Sequence, residues 1–301
     1  MVFGLLMAVD VRETADYVRS MWTFNPVNEL CKMGEVKCMS SEIKGLLLDL
    51  DGTLFHGGVM IPGADMLISG LRAKGIPFLF VTNNSSRTPS GVAEHLRSMG
   101  IEAHEREICT SSLAAAAYVA EESPGSSVAI LGEEGLRQAC LEAGLKLVEE
   151  KPQYIIQGID RSFTYHSLAR AARWITEGAS FVLTNPDLML PSDDGMVPGA
   201  GTLGAAIEAA TGVVPVVIGK PERHLVSYAA ARLGIEPLDA VVVGDNMRTD
   251  IAAGANAGCR TILVLTGVTT IGNLDHYKEL TGVTPDEICG DLAELRTLLG
   301  V

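Results

Sequence analysis

The chain has 301 residues, 47% hydrophobic and 20% charged, a composition that describes a globular protein rather than a disordered one and allows one large or two ordinary domains. A formal net charge of −14 opposes binding to nucleic-acid backbones, which select basic surfaces, so no nucleic-acid partner is expected and an anionic ligand has to be drawn by a local cation. No apolar run reaches the roughly 20 residues of a membrane span. The cysteines (Cys31, Cys38, Cys109, Cys140, Cys259, Cys289) lack C-x-x-C spacing and disulfide-framework density, so a cytoplasmic protein without a membrane partner is expected.

Residues 1–40 read as an N-terminal extension. Val2 to Val9 is apolar, but no basic region precedes it and Asp10 interrupts it too early for a good signal peptide. Glu13 to Trp22 has the pattern of a short amphipathic helix, which leaves an added interaction element and a dispensable extension both open. From Ile43 to Leu50 an apolar run predicts a strand, followed by a helix over Gly63–Lys74 ending at Gly75, a strand over Phe78–Val81 and a helix over Pro89–Ser98 ending at Gly100. Ser111–Glu122 is an Ala-rich helix, broken by Ser123-Pro124-Gly125. Ser127–Leu131, Glu133–Ala143, Tyr154–Gln157, His166–Glu177 and Phe181–Leu183 then alternate strand and helix, a self-contained α/β layer ending near Val197-Pro198-Gly199. Ala200–Thr211 is a helix, Val213–Ile218 a strand, Glu222–Leu233 a helix closed by Gly234, Ala240–Val243 a strand and Asp250–Ala257 a helix, with the strand Thr261–Leu265 completing the core. The expected fold is α/β, a doubly wound parallel sheet made from residues 41–124 and 198–301, with residues 125–197 inserted as a second α/β unit.

Polar chemistry gathers where these strands end. Asp49-Leu50-Asp51-Gly52-Thr53 closes the first; in strand geometry Asp49 and Asp51 leave on one side and Leu50 on the other. Gly52 allows a sharp change of direction and Thr53 can hydrogen-bond the turn. Taken alone, these are also ordinary turn residues. Three further groups stand with them: Thr82-Asn83-Asn84-Ser85-Ser86, Gly219-Lys220-Pro221, and Gly244-Asp245-Asn246-Met247-Arg248-Thr249-Asp250. Open parallel sheets collect their active residues at the carboxyl ends of strands.

With these four groups in this order, the chain resembles the haloacid dehalogenase (HAD)-like phosphatase superfamily from about Ile43 to Leu299. V-T-N-N-S (Val81 to Ser85), the long gap before G-K-P, and T-N-P-D (Thr184 to Asp187) resemble its branch with a large α/β cap, which includes NagD-like and 4-nitrophenyl phosphatases. Met39 would be a natural family start. The resemblance implies a HAD-like core with the inserted unit as cap, and a magnesium-dependent phosphomonoesterase acting on a small phosphorylated metabolite. Asp49 is then the nucleophile that forms an aspartyl-phosphate, and Asp51 the acid and base, its carboxyl proton held near neutral pH by neighbouring anions. Mg2+ is held by the Asp49 carboxylate, the Asp51 carbonyl and the Asp245 carboxylate, because these charges and a phosphate cannot otherwise share a few ångströms. Thr82, Asn83, Asn84, Asn185, Lys220 and Asn246 are the expected substrate contacts. The Thr82 hydroxyl and Asn83 amide would sit at the amino end of a following helix. Asp250 is expected to orient metal-bound water or Lys220.

Other readings stay open at several residues. Lys220 before Pro221 also suits a solvated turn, and Asp245 and Asp250 suit helix N-terminal charges. Gly199-Ala200-Gly201-Thr202-Leu203-Gly204 matches G-x-G-x-x-G, but Pro191 to Gly195 ahead of it is not the strand that a dinucleotide site requires, so a hinge and helix start are expected. His56 suits a flap or a substrate contact, and no His or Cys cluster has zinc spacing. Thr184–Pro191 is the expected specificity loop. It carries Leu188-Met189-Leu190 where pyridoxal phosphate phosphatases have a histidine, which favours a broad range of small phosphates. A phosphotransferase or phosphomutase, or a non-catalytic phosphate-binding module, would use the same core, and a homodimer through the cap is a further expectation.

Overall fold

The computed structural model describes residues 43–192 and 195–301, so the readings of residues 1–40 lie outside the described residues. The first apolar run forms β1 (Gly45–Leu48), buried at every position. A short hairpin, β2 (Phe55–His56) and β3 (Val59–Met60), leads to α1 (Ala64–Lys74), which ends where Gly75 turns left-handed. β4 (Phe78–Thr82) is followed by α2 (Pro89–Ser98), started by proline in its first turn and by the Thr88 hydroxyl accepting from the Gly91 N–H. β5 (Ile108–Thr110) and α3 (Ser111–Glu122) complete the first half of the core.

The second unit comprises β6 (Ser127–Leu131), α4 (Glu134–Glu142), β7 (Lys146–Leu147), β8 (Tyr154–Gln157), α5 (Tyr165–Thr176), β9 (Ser180–Leu183), a hairpin of β10 (Met189–Ser192) and β11 (Gly195–Pro198), α6 (Ala200–Thr211) and β12 (Val216–Val217). The chain returns through α7 (Arg223–Leu233), β13 (Ala240–Gly244), a π-helical turn over Met247–Ile251, α8 (Ala252–Ala257), β14 (Arg260–Val264), α9 (Leu274–Thr281), β15 (Glu287–Cys289) and α10 (Leu292–Leu299).

The core sheet is parallel throughout, in the order β15-β14-β13-β1-β4-β5. Its two faces follow from the period of two. Leu46, Leu48, Phe78 and Phe80 pack against α1, α2 and α10, whereas Leu47, Leu79, Val81 and Val242 pack against α3 and α7. Burial on both sides explains why these strands read as continuous apolar runs, and each fully buried Leu or Phe contributes about 1.5–3 kcal/mol. The chain leaves β1 for β4 and β5 on one side and later fills β13, β14 and β15 on the other. The switch point therefore lies between β1 and β13, where the crevice at the carboxyl ends opens.

The second sheet, also parallel, has the order β12-β9-β8-β6-β7. Here the structure corrects the sequence reading. The strand expected in the core over Val213–Ile218 is two residues long and pairs with β9, Val216 against Val182 and Val217 against Leu183. The inserted unit thus runs past Val197-Pro198-Gly199, through α6 and β12, because α6 packs on α5, β8 and β9 of the same layer. Nor does Thr261–Leu265 complete the core, since β5 and β15 extend both edges with three residues each.

Candidate active site

The four polar groups line one cavity of about 410 Å³, within the usual range for a small-molecule site. Asp49 and Asp51 both reach it, while Leu50 is buried in the core, as strand alternation requires. The Asp49 N–H donates to the Val243 carbonyl at 2.9 Å, continuing the β1 to β13 pairing up to the carboxylate. Gly52 has φ 90°, and a Cβ there would run into the Asp245 carboxylate, so this position suits glycine in both conformation and space.

Asp245 follows β13 directly, and Asp250 is placed by the π-helical turn, the kind of local widening often found at functional sites. The carboxylates of Asp49, Asp245 and Asp250 lie within 4.8 Å of one another. Lys220 Nζ donates to Asp49 Oδ1, to Asp250 Oδ1 at 2.7 Å and to the Val81 carbonyl at 3.3 Å. Thr53 Oγ1 donates towards Asp49 Oδ2 at 3.2 Å and Asp245 Oδ1 at 3.4 Å, and the Val268 N–H donates to Asp245 Oδ2 at 2.6 Å. Asp250 Oδ2 accepts from the Asn246 N–H at 3.1 Å. Of the two orienting roles expected for Asp250, its geometry engages Lys220.

Three carboxylates against one ammonium leave two negative charges uncompensated, and burial makes them costly. Desolvation, joined by Asp250 and Asp245 and opposed by Lys220, pushes the Asp49 carboxyl well above its ordinary value. Desolvation and Asp250 push Asp245 up to about 6 against the Val268 amide and Lys220. Burial would lower Lys220, but Asp250 and Asp49 outweigh it and hold the ammonium charged. A hard-oxygen donor set with excess negative charge fits a divalent cation held by Asp49 and Asp245 with Asp250 beside them. Asp51 is also raised, first by partial desolvation, while His56 and His95 oppose the shift. Neighbouring anions, the cause expected from sequence, are not what raises it.

The asparagines hold the scaffold. Asn83 Nδ2 donates to the Lys220 carbonyl at 2.9 Å and to the Asp187 carboxylate at 3.2 Å. Asn185 Nδ2 donates to the Asn83 carbonyl at 2.9 Å and its Oδ1 accepts from the Asp187 N–H at 3.2 Å. Asn84 Oδ1 caps its own loop through the Ser86 and Arg87 N–H groups, and Asn246 Oδ1 accepts from the Arg248 N–H at 2.9 Å. All four line the cavity, with these side-chain atoms engaged by protein. Thr82 lines it too, its Oγ1 accepting from the Asn84 N–H at 3.1 Å. The helix expected next to Thr82 and Asn83 begins only at Pro89, beyond the loop 83–88, so its amino end does not adjoin them.

His56 lies at the cavity with Nε2 2.7 Å from the Thr266 carbonyl. The G-x-G-x-x-G run forms the start of α6. A Cβ at Gly199 or Gly201 would strike the Asp187 or Pro186 carbonyl, and one at Gly204 would meet Leu183 Cδ1 at 2.9 Å. These glycines permit close packing of a helix on the β9 turn. Met189, Leu190 and Pro191 of the expected specificity loop line the cavity. Asp187, which closes T-N-P-D within that loop, lines the cavity too, whereas Arg161 and Ile159 line it without any sequence signal, because a lone arginine in a polar turn carries no motif.

A family model described as haloacid dehalogenase-like hydrolase matches residues 46–146, and a second HAD-hydrolase-like model matches residues 217–295. The chain is 46% identical over 226 residues to 5'-nucleotidase YutF of Bacillus subtilis (strain 168), covering 75% of this chain and 88% of that protein. It is 44% identical over 236 residues to an acid sugar phosphatase of Staphylococcus aureus (strain USA300), covering 78% and 91%. Among solved structures, p-nitrophenyl phosphatase from Archaeoglobus fulgidus superposes with a TM-score of 0.80 at 36% identity, over 86% of this chain and 100% of that one.

Proposed function

Because the chain belongs to the haloacid dehalogenase-like hydrolase family, we propose that it is a magnesium-dependent phosphomonoesterase acting on small phosphorylated metabolites through an aspartyl-phosphate. The observation that carries this reading is the convergence of Asp49, Asp245, Asp250 and Lys220 in one cavity that also holds Asp51. An Asp49 oxygen attacks phosphorus as the bond to the leaving oxygen breaks, and Asp51 gives its proton to that oxygen. Asp51 then takes a proton from the water that attacks the aspartyl-phosphate, releasing phosphate and restoring Asp49. The raised Asp51 carboxyl supports its role as the acid. Lys220, fixed by Asp250, steadies Asp49 and offers its charge to the incoming phosphate. Magnesium, bound by Asp49 and Asp245, would cancel the repulsion between these carboxylates and the phosphate.

The names of the relatives support nucleotides, sugar phosphates and 4-nitrophenyl phosphate as substrates. The test is release of inorganic phosphate from that panel with Mg2+ and with a chelator. Magnesium-dependent release into water is expected. Transfer only to an organic acceptor would replace the proposal with a phosphotransferase, and no turnover with any substrate would refute it.

A further inference from the structure

Five carboxylates, those of Asp49, Asp51, Asp187, Asp245 and Asp250, line the cavity. Among the described residues, only Lys220 and Arg161 of its lining carry permanent positive charge, and the Lys220 ammonium is buried and already engaged by three protein acceptors. Arg161 is also paired with a carboxylate, but it is exposed and only partly engaged. It stands in the turn after β8, with its side chain 63% exposed. Nη1 donates to Glu133 Oε1 at 2.8 Å and Oε2 at 2.7 Å, and the Arg161 main-chain N–H reaches Oε1 at 3.3 Å. Among the described residues, the Nε and Nη2 donors have no hydrogen-bond acceptor. The guanidinium is thus tethered to the second sheet by one nitrogen while the rest of its planar fork stays available.

An electronegative cavity disfavours any substrate that carries an anion besides its reacting phosphate. We propose that Arg161 is a specificity-determining residue that selects phosphomonoesters whose leaving group bears a second anionic group, a carboxylate or a further phosphate, with Glu133 setting its position. The proposal rests on the phosphatase reading of the same cavity. It follows from the division of labour between the two cations: Lys220 serves the carboxylate cluster at the carboxyl end of β1, and Arg161 belongs to the part of the lining that the second sheet contributes, which is left for the leaving group. Ile159, Met189 and Leu190 line the same cavity and supply apolar surface for the body of that group. Arginine suits the task because its fork meets carboxylate or phosphate oxygens two at a time.

The test compares matched substrates in the full-length protein with Mg2+: 3-phosphoglycerate against glycerol 3-phosphate, and adenosine 3',5'-bisphosphate against AMP. In the wild type kcat/KM should favour the doubly anionic member of at least one pair by about tenfold, the size of one charge-assisted contact. Arg161→Ala should remove that preference, chiefly through KM of the doubly anionic member, and Arg161→Lys should restore part of it. Salt at about 1 M should lower the ratio in the wild type, where it screens the attraction to Arg161, but not in Arg161→Ala, where only repulsion by the carboxylates is left to screen. A response in the first pair alone identifies phosphorylated hydroxy acids, and in the second alone bisphosphates. A merely structural tie between Arg161 and Glu133 would weaken both members alike, so an unchanged ratio in Arg161→Ala, or no preference in the wild type, overturns the proposal. Should the wild type turn over none of these, dissociation constants for the same pairs read the same ratio. A preference lost in Arg161→Ala would then keep the anion site even if the wider panel also gave no phosphate and the phosphatase reading fell.

Discussion

Asn83 and Lys220 are joined by two hydrogen bonds: the Lys220 main-chain N–H donates to Asn83 Oδ1 at 2.8 Å, and Asn83 Nδ2 donates to the Lys220 carbonyl at 2.9 Å. The side-chain amide pairs with the peptide of the lysine as a neighbouring strand would, and its spare donor capacity reaches Asp187. Asn83→Ala leaves these buried groups without partners, so a loss of about 1–3 kcal/mol in urea unfolding is expected, together with a fall in kcat as Lys220 loses its fixed position. Asn83→Asp should be worse than alanine, because it turns a carboxylate toward the Lys220 carbonyl and Asp187. Equal stability of the two variants would contradict this account of the pairing.

Gly201 tests the assignment of the G-x-G-x-x-G run to packing. A Cβ at Gly201 would overlap the Pro186 carbonyl, so Gly201→Ala should lower Tm by several degrees, in line with about 1–3 kcal/mol of overpacking. NAD should leave the Tm of the wild type unmoved. A rise in Tm with NAD would restore the dinucleotide reading.

How far the sequence disclosed this molecule depended on how local each signal was. Continuous apolar runs such as Phe78–Val81 and Ala240–Val243 announced doubly covered strands, and the polar residues ending them line one cavity. The sheet to which Val216–Val217 belongs was not legible, because membership depends on Val182 and Leu183, far away in sequence. Edge strands of three residues, β5 and β15, are too short to carry a period. The asparagines after β4 read as ligands from their chemistry. That Asn83 and Asn84 are engaged by the Lys220 backbone and by their own loop is visible only in three dimensions.

The ion pair of Arg72 with Glu107 supplies a pH-dependent part of core stability. Burial would raise the Glu107 carboxyl, but hydrogen bonds from Arg72, at 2.6 and 2.8 Å, and from the His104 N–H hold it below its ordinary value. A depressed folded-state value stabilises the fold above the ordinary carboxylate pKa of about 4.3, and that stability is lost as pH falls through the folded value. Glu107→Gln should therefore cost at most about 1 kcal/mol at pH 7, because solvent screens the pair, and progressively less as pH falls below the ordinary carboxylate range, read from urea midpoints at a series of pH values. A cost independent of pH would show that packing, not charge, is responsible.

Magnesium should stabilise the protein through the carboxylate cluster. At about a hundred times its dissociation constant a ligand adds about 2.7 kcal/mol, so Mg2+ should raise Tm clearly in the wild type and much less in Asp245→Asn. Without metal the order should reverse, since Asp245→Asn relieves repulsion among three buried carboxylates. An equal rise with Mg2+ in both proteins would move the cation elsewhere.

The covalent role proposed for Asp49 is open to direct capture. After acid quench of a single turnover with radiolabelled 4-nitrophenyl phosphate and Mg2+, label is expected on the peptide that carries Asp49, decaying at the rate of phosphate release. Asp49→Asn should take up none while keeping the wild-type circular dichroism. Label on any other residue, or full turnover by Asp49→Asn, would contradict the account.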